Sequence, residues 1–352
     1  MTAGRSFRDV FGTDCAVSAY APGRVNLLGD HTDYNDGFVL PTAIPQQTTV
    51  KVAPSQGMHE VYSATLDRMA RFDAGALTDF ARYVGGCVRV LERRGVKIPA
   101  LRLHIASDVP VGAGLSSSAA LEVATLRALD GLLGLGLDPE EMAHLAHQAE
   151  VEFAGVSCGI MDQMACSLGR TDRMLFLDTM NLERELLPLP ADSELLVMHS
   201  GVPRSLAGSE YNRRRAECEA AAALLGVQSL RMIDNPVAVN RLPSPLRERA
   251  RHVITENRRV LAARSADAAA FGALMTQSHA SLRDDYAVSL PAMDALVATL
   301  QQEPGVFGAR LTGAGFGGCC VALVRQGTAA ATGYRVASCL GEVPSVIVPS
   351  RC

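Results

Sequence analysis

Residues 21–37, APGRVNLLGDHTDYNDG, hold a dense set of hydrogen-bonding side chains. In this segment, which we call motif 1, arginine, aspartate, histidine, tyrosine and asparagine residues are interrupted by glycines that prevent a regular helix or strand throughout. Carboxylates accept hydrogen bonds from hydroxyl groups, histidine can donate or accept, and a guanidinium only donates. Motif 1 therefore predicts a pocket for a polyhydroxylated small molecule.

A second motif has the composition of a loop that binds phosphate. Motif 2, residues 109–120, reads VPVGAGLSSSAA. Gly112 and Gly114 let the backbone approach an anion, the start of the following helix offers free N–H groups, and residues 116–118 add serine hydroxyls for phosphate oxygens or magnesium. A nucleoside triphosphate fits this pattern, but a strand-to-helix turn with serine N-caps explains it equally well. The chain lacks GxxxxGKS or GxxxxGKT, HRD and DFG, which excludes P-loop enzymes and protein kinases.

The composition limits the class of protein. The 352 residues have a formal net charge of −4 and no long run of lysine and arginine, which argues against a general nucleic-acid-binding protein. No signal peptide and no run of about 18 apolar residues is found, so we expect no membrane partner. Nine cysteines without a CxxC pair indicate reduced thiols. We therefore expect a cytoplasmic protein.

The predicted secondary structure changes along the chain. Helices are expected at residues 77–94, 117–133, 139–153, 209–225, 245–263, 266–283 and 291–301. Strands are expected at residues 15–20 and 101–106, and at 38–44 and 48–53 around a turn at Pro45. Further strands are expected at a pair formed by 173–177 and 195–200, and at 307–312, 318–324 and 345–348. A strand-rich first half and a helix-rich second half predict an α+β fold with two lobes, residues 1–188 and 189–352.

The motifs resemble those of a known family. APGRVNLLGDHTDYNDG, VPVGAGLSSSAALE and LTGAGFGGC follow each other as the three motifs of the GHMP family of small-molecule kinases do, and the first is similar to the signature of galactokinases within that family. We call residues 311–319, LTGAGFGGC, motif 3. GIMDQ at residues 159–163 and SEYNRRR at 209–215 also resemble galactokinase segments. The resemblance implies a mixed or antiparallel sheet packed with helices in each lobe and an active site in the cleft between the lobes.

The resemblance also implies a chemistry, which is phosphoryl transfer from ATP with magnesium. Asp162 corresponds to the carboxylate beside the attacking hydroxyl, and Arg24 to its cationic neighbour. Asp162 acts either as a base that takes the proton of this hydroxyl or as a group that orients it, depending on how dissociative the transition state is. A nearby guanidinium keeps an aspartate ionised and stabilises developing charge, although an isolated aspartate at this place also fits a helix N-cap. Ser118 and Glu150 correspond to the magnesium ligands. Oxygen ligands of this kind are those that magnesium prefers.

The substrate contacts are carried over position by position. The residues that correspond to sugar ligands are Arg24, Asp30, His31, Asp33, Gly159, Asp162 and Tyr211. Those that correspond to the ATP site are Gly112, Gly114, Leu115, Ser116, Ser117, Ser118 and Phe80. Two positions depart from the family pattern. Asp30 replaces a glutamate that reaches the C6 hydroxyl of galactose, and Phe80 stands where a tryptophan is common, although it also fits ordinary helix core.

The expected activity is that of a sugar 1-kinase that converts α-D-galactose into galactose 1-phosphate in the Leloir pathway. One alternative is a related kinase for galacturonate, arabinose or a galactose modified at C6, because Asp30 leaves more room there. Galacturonate would place a carboxylate beside Asp30, which is unfavourable without a cation. The other alternative is a galactose sensor that binds sugar and ATP but signals through a partner. The resemblance does not require an oligomer, and a monomer is expected.

Overall fold

The computed structural model describes residues 5–73, 75, 77, 80–203, 207–341 and 343–349. Contacts divide the chain into two compact units whose segments alternate in sequence. Unit 1 comprises residues Met1–Gly23, Gln46–Pro110 and Ser116–Leu168, and unit 2 comprises Arg24–Pro45, Val111–Leu115 and Gly169–Cys352. The single lobe boundary expected between residues 188 and 189 stays a prediction.

Both helices and strands are abundant, so the α+β class is confirmed. The strands are β1 Val17–Asn26, β2 Phe38–Val39, β3 Pro41–Pro54, β4 His59–Ser63, β5 Arg68–Phe72, β6 Leu101–Ser107, β7 Arg173–Asp178, β8 Arg184–Pro188, β9 Ser193–His199, β10 Val306–Leu311, β11 Cys319–Arg325 and β12 Ser345–Val348. The helices are α1 Phe7–Phe11, α2 Ala81–Arg93, α3 Ser117–Leu133, α4 Pro139–Ala149, α5 Met161–Leu168, α6 Ala207–Leu225, α7 Leu246–Ala263, α8 Ala268–Asp284, α9 Pro291–Gln302 and α10 Ala329–Cys339. Short 3₁₀ helices lie at Asp33–Asn35, Leu230–Met232 and Pro236–Arg241.

Unit 1 is built on a five-stranded sheet in the order β1-β3-β6-β4-β5. β3 pairs with β6 and β4 with β5 in antiparallel fashion, whereas β4 and β6 run parallel. Apolar residues of this sheet pack against those of α2, α3 and α4 in one hydrophobic core. This core fixes the direction of α3, which begins directly after the glycines of motif 2.

Unit 2 contains two sheets. A four-stranded sheet has the order β10-β11-β9-β12, and a three-stranded sheet has the order β2-β7-β8. The first packs its apolar residues against α6 to α10 in a second hydrophobic core. β10 and β11 pair in antiparallel fashion, and Leu311 opposite Cys320 is the residue pair next to the turn. Motif 3 therefore forms the turn between these two strands.

Local sequence signals place several boundaries correctly. The bounds of α3 and β12 agree with the prediction, and Gly155 takes the left-handed conformation expected of a helix end. The predicted turn at Pro45 is wrong, because β3 runs without interruption from Pro41 to Pro54. Pairing of β3 with β6 begins only at Thr48, so the missing N–H of Pro45 removes no hydrogen bond between these two strands.

Two further predictions need correction. The segments at 173–177 and 195–200 are strands, but they do not pair, because β7 pairs with β2 and β8 while β9 pairs with β11 and β12. The predicted helix at 139–153 is α-helical only to Ala149 and continues as a π-helix over Glu150–Ala154. Single π-helical turns inside helices are frequent at functional sites. In the part of the chain that the structure describes, no helix is long and apolar enough to span a bilayer.

The backbones of α8 and β10 touch at a pair of glycines. A Cβ atom at Gly272 would lie 2.1 Å from the Phe307 carbonyl oxygen, and one at Gly308 would lie 2.0 Å from the Gly272 carbonyl oxygen. We expect Gly272→Ala to lower the free energy of unfolding by about 1–3 kcal/mol, because the extra methyl group forces the helix away from the strand. Urea unfolding followed by circular dichroism measures this loss.

Gly131→Ala is the control for this substitution. It also lies in a helix, but the nearest atom to its Cβ would be the end of the Val17 side chain at 3.1 Å. We expect at most about 1 kcal/mol of change, towards higher stability, from the helix propensity of alanine. Equal stability of Gly272→Ala and the unsubstituted chain would contradict the close packing of α8 on β10.

Candidate active site

Motif 3 brings motifs 1 and 2 together inside unit 2. Gly313 has a φ of +78°, and a Cβ atom there would lie 2.8 Å from the Gly114 carbonyl oxygen, so only glycine fits this close approach. At the end of the turn, the Cys319 amide donates a hydrogen bond of 3.1 Å to the Ala113 carbonyl. The backbone of the predicted phosphate loop is therefore held against the turn of motif 3.

Arg24 of motif 1 holds the same loop from another direction. Its Nη1 donates to the Gly114 carbonyl at 2.7 Å, and its amide donates to the Leu115 carbonyl at 3.1 Å. The residue is buried, with 4% of its surface exposed. Beside these contacts, Gly112 has a φ of +72°, and a Cβ atom there would meet no atom within 4 Å. The loop thus combines a fixed backbone with open space next to Gly112.

Asp30 lies in a buried ion pair. Its Oδ2 accepts a hydrogen bond from Nη2 of Arg310, and its Oδ1 accepts one of 3.0 Å from Asn26 Nδ2. Burial raises the pKa of Asp30 to about 6, and the opposing charge of Arg310 prevents a larger rise. The carboxylate is thus mainly ionised at neutral pH. The role of Asp30 as a sugar ligand stays a prediction.

The imidazole of His31 has partners at both ring nitrogens. Nε2 lies 3.2 Å from the Ala314 carbonyl oxygen, which can only accept, so this nitrogen carries the proton of the neutral ring. Nδ1 then accepts from the Tyr34 hydroxyl at 2.8 Å, and the Tyr34 oxygen accepts from Tyr286 at 2.7 Å. The Tyr211 ring centroid lies 5.6 Å from that of His31. The fold thus brings together two predicted sugar ligands, His31 and Tyr211.

Asp33 lies close to His31 in sequence, at the first position of the 3₁₀ helix Asp33–Asn35. Its carbonyl accepts a hydrogen bond of 3.2 Å from the Thr179 hydroxyl, and the residue is partly exposed. A partly exposed carboxylate in the same turn as His31 can still accept hydrogen bonds from a bound hydroxyl group. Its role as a sugar ligand stays a prediction.

Unit 1 places the predicted catalytic carboxylate next to motif 2. Ser116 precedes α3 with a φ of +58°, and its hydroxyl donates a hydrogen bond of 2.6 Å to Asp162 Oδ2. Asp162 is the second residue of α5, whereas an N-cap residue precedes the first helical residue. Asp162 is therefore not the N-cap of α5. Gly159 is buried two residues before α5. Asp162 therefore lies at the start of two helices, where backbone N–H groups favour negative charge.

The predicted magnesium ligands fit a site of the kind that this ion uses. Ser118 and Glu122 lie four residues apart on one face of α3. Burial raises the pKa of Glu122 well above its ordinary value, and the nearby carboxylate of Glu150 raises it further. Gln163 donates a hydrogen bond to the Glu150 carboxylate. Among the described residues, both carboxylate oxygens of Glu122 and Oε1 of Gln163 are buried and have no hydrogen-bond partner within normal distance and angle. This end of α3 is thus rich in oxygen atoms that suit a hard cation.

Within the described residues, no group of three or more His, Cys, Asp and Glu side chains is arranged for a metal ion. Magnesium is commonly held by one or two protein ligands together with substrate phosphates and water. A hydroxyl from Ser118 and a carboxylate from Glu150 therefore suffice for the protein's share of such a site. Ser117 and Ser118 are both partly exposed at the start of α3.

Phe80 belongs to the hydrophobic core of unit 1. Only 9% of its surface is exposed, and it packs with residues of α2 and the sheet. This burial favours the reading as helix core, and a contact with adenine stays a prediction.

Sequence reasoning missed the residues that hold motif 1 from α7 and β10. Glu256 Oε1 accepts a hydrogen bond of 2.8 Å from the Gly29 amide, and Arg310 Nη1 donates one of 3.0 Å to the Leu27 carbonyl. His252 Nε2 donates to the Asp30 carbonyl at 3.1 Å. The sequence does place His252 and Glu256 four residues apart in a predicted helix, which indicates that they share one helix face. It does not indicate which residues this face contacts.

Comparisons with known proteins agree with these motifs. Family models match residues 5–54 as the galactokinase galactose-binding signature, residues 82–170 as the GHMP kinases N terminal domain and residues 260–341 as GHMP kinases C terminal. A galactokinase of Roseiflexus sp. is 45% identical over 91% of this chain and 86% of its own length. The chain belongs to the galactokinase family. A galactokinase of Thermotoga maritima is 41% identical to this family member, over 87% of this chain and 89% of its own length.

Solved structures support the galactokinase assignment. Lactococcus lactis galactokinase, crystallised with galactose, superposes with a TM-score of 0.88 at 34% identity, covering 97% of this chain and 95% of that one. Methanococcus jannaschii mevalonate kinase superposes with a TM-score of 0.67 at 18% identity, over 96% and 98% of the two chains. The second match shows that the galactokinase family member shares the GHMP kinase fold.

The predicted catalytic role of Asp162 can be tested by Asp162→Asn, which keeps the size of the side chain and an oxygen that can accept a hydrogen bond from Ser116. We expect kcat to fall by about 10²–10⁴-fold, because the amide cannot take a proton from the sugar hydroxyl. Calorimetric titration should show that the sugar still binds. Asp172→Asn, at an exposed position, serves as control and should keep full activity. Full turnover by Asp162→Asn would refute the catalytic assignment.

Proposed function

We propose that this galactokinase family member transfers the γ-phosphoryl group of ATP to the anomeric hydroxyl of α-D-galactose. The products are galactose 1-phosphate and ADP, and the reaction is the kinase step of the Leloir pathway. The observation that carries this proposal is the convergence on motif 3, where Gly313 lies against Gly114 of motif 2 and Ala314 accepts from His31 of motif 1. A polyol-binding motif and a phosphate-binding loop then share one rigid turn.

The sugar end of the proposed reaction is supported by the side chains of motif 1. Arg24, Asp30, His31, Asp33 and Tyr211 supply donors and acceptors in unit 2, and Gly159 and Asp162 supply a backbone site and a carboxylate in unit 1. A galactokinase relative of the same fold was crystallised with galactose. We infer that galactose is the sugar bound here.

The nucleotide end is supported by motif 2. The glycines and Leu115 offer backbone N–H groups, and Ser116, Ser117 and Ser118 offer hydroxyls and the N-terminus of a seventeen-residue helix, an arrangement that favours phosphate. Magnesium, which we propose Ser118 and Glu150 hold, would neutralise phosphate charge when bound. Phe80 is the proposed neighbour of adenine.

The transfer itself needs alignment and charge balance more than covalent chemistry by the protein. The anomeric oxygen of the sugar forms a bond with the γ-phosphorus, and the bond from that phosphorus to the β,γ-bridging oxygen breaks, so ADP leaves. The proton of the sugar hydroxyl passes to the Asp162 carboxylate. The Ser116 hydroxyl, bonded to Oδ2, orients that carboxylate. Arg24 is the proposed cation for the charge that develops on the phosphoryl group.

We also propose that the protein acts as a cytoplasmic monomer with two small-molecule substrates, without a nucleic-acid or membrane partner. Analytical ultracentrifugation with and without substrates measures the state of association.

Substrate identity is tested by ADP release with ATP and magnesium against galactose, 6-deoxygalactose, galacturonate, arabinose, galactosamine and glucose. We expect galactose to exceed each other sugar by about 10-fold or more in kcat/KM, the discrimination that one charge-assisted hydrogen bond provides. A preference for a sugar altered at C6 would contradict galactose as the substrate. Sugar binding without ADP release from any of them would replace the kinase by a sensor.

A further inference from the structure

One side chain of α7 holds motif 1 by its backbone. Glu256 is fully buried, and its Oε1 accepts from the Gly29 amide at 2.8 Å. Only glycine fits at position 29, because its φ is +93° and a Cβ atom there would lie 2.5 Å from the Phe38 carbonyl oxygen. The next residue of α7, Asn257, accepts from the Phe38 amide at 2.9 Å. Consecutive residues of one helix thus hold both ends of the segment 29–38.

The same carboxylate orients Arg310, and Arg310 orients Asp30. Nη1 of Arg310 lies 3.5 Å from Glu256 Oε1 and 3.0 Å from the Leu27 carbonyl oxygen, while Nη2 bonds Asp30. Arg310 is fully buried, and its Nε has no hydrogen-bond partner among the described residues. The direction of its guanidinium therefore depends on these few acceptors.

The carboxylates in this cluster face arginines. Arg259 Nε donates to Glu256 Oε2 at 2.6 Å, so Arg259 and Arg310 face the carboxylates of Glu256 and Asp30. Burial raises the pKa of Glu256, but the charges of Arg259 and Arg310 lower it by more than burial raises it. The pKa of Glu256 therefore lies below its ordinary value, and the carboxylate stays ionised. Burial lowers the pKa of His252 to about 4, so this neighbour is neutral. A buried charge that loses its partner is strongly unfavourable.

We propose that Glu256 is a positioning residue for sugar binding, which acts through the Gly29 amide and through Arg310 on the ligands Asp30 and His31 of motif 1. This inference rests on the proposed function, because it assigns the sugar to motif 1. Glu256 does not touch the sugar. It sets the place of the groups that do, so its loss affects the affinity for the sugar and leaves the nucleotide loop in place.

The test is Glu256→Gln. An amide offers one acceptor and one donor, and in either orientation its NH₂ group faces the N–H donors of Gly29 or of Arg259. We expect KM for galactose to rise by about 10-fold or more while KM for ATP stays within about twofold, as one lost charged hydrogen bond at the sugar motif would give. Calorimetry without ATP should show the same loss of galactose affinity.

Glu217→Gln is the matched control. Glu217 also lies in unit 2, with 11% of its side chain exposed, and it accepts hydrogen bonds from three arginines, among them Arg249 at 2.8 Å. Among the described residues, none of its hydrogen-bond partners lies in motif 1. It should leave both KM values unchanged. Equal KM values in Glu256→Gln and the unsubstituted enzyme, or a parallel rise for both substrates in both variants, would overturn the positioning role.

Two further measurements test the role of Glu256 even if Glu256→Gln does not fold or if galactose is not the substrate. Arg310→Lys keeps the charge but replaces the fork by a single ammonium group, and it should raise KM for galactose in the same way if Glu256→Gln does not fold. Hydrogen exchange of the segment 27–38 should be faster in Glu256→Gln than in Glu217→Gln, whatever sugar the enzyme uses. Unchanged exchange would overturn the inference, whereas inactivity of the unsubstituted enzyme on galactose would count only against the proposed function.

Discussion

The burial of Arg310 is the constraint on which the candidate sugar site depends. A guanidinium without access to water requires carboxylates and carbonyls around it, and Asp30, Glu256 and the Leu27 carbonyl meet this requirement. Leu27 and Asp30 belong to motif 1, and Glu256 accepts a hydrogen bond from its Gly29 amide. The charge of Arg310 therefore constrains the path of motif 1. The shorter aspartate at position 30 is thereby part of a buried cluster of charges, and its carboxylate is held by Arg310 and Asn26.

The fold could be predicted from the sequence where its signals are local. α3 has a glycine-rich start and ends at Gly134 in the left-handed conformation, so both ends are marked by neighbouring residues. β4, β5 and β8 escaped prediction because each has only five residues, and β5 and β8 carry exposed residues at several positions. β4 also pairs with β6, which lies far along the chain, whereas β5 and β8 pair with β4 and β7, their neighbours in sequence.

For the candidate site, the sequence marks the motifs but not what holds them. Motifs 1, 2 and 3 can each be recognised within a segment of at most 17 residues, because glycines and polar side chains cluster there. The bond from Gly29 to Glu256 joins residues 227 positions apart, and that from Asp30 to Arg310 joins residues 280 positions apart. No pattern within a helix or a loop reveals such partners. The same holds for the pairing of Ser116 with Asp162, which depends on how α3 and α5 pack in unit 1.

The most direct test of the account is the identity of the product. The protein, ATP, magnesium and galactose are incubated together, and the reaction is followed by phosphorus NMR with proton coupling. We predict a new phosphomonoester resonance that couples to the anomeric proton in the α configuration and grows as ADP appears. A phosphate on another carbon of the sugar, or ADP accompanied only by inorganic phosphate, would contradict the account.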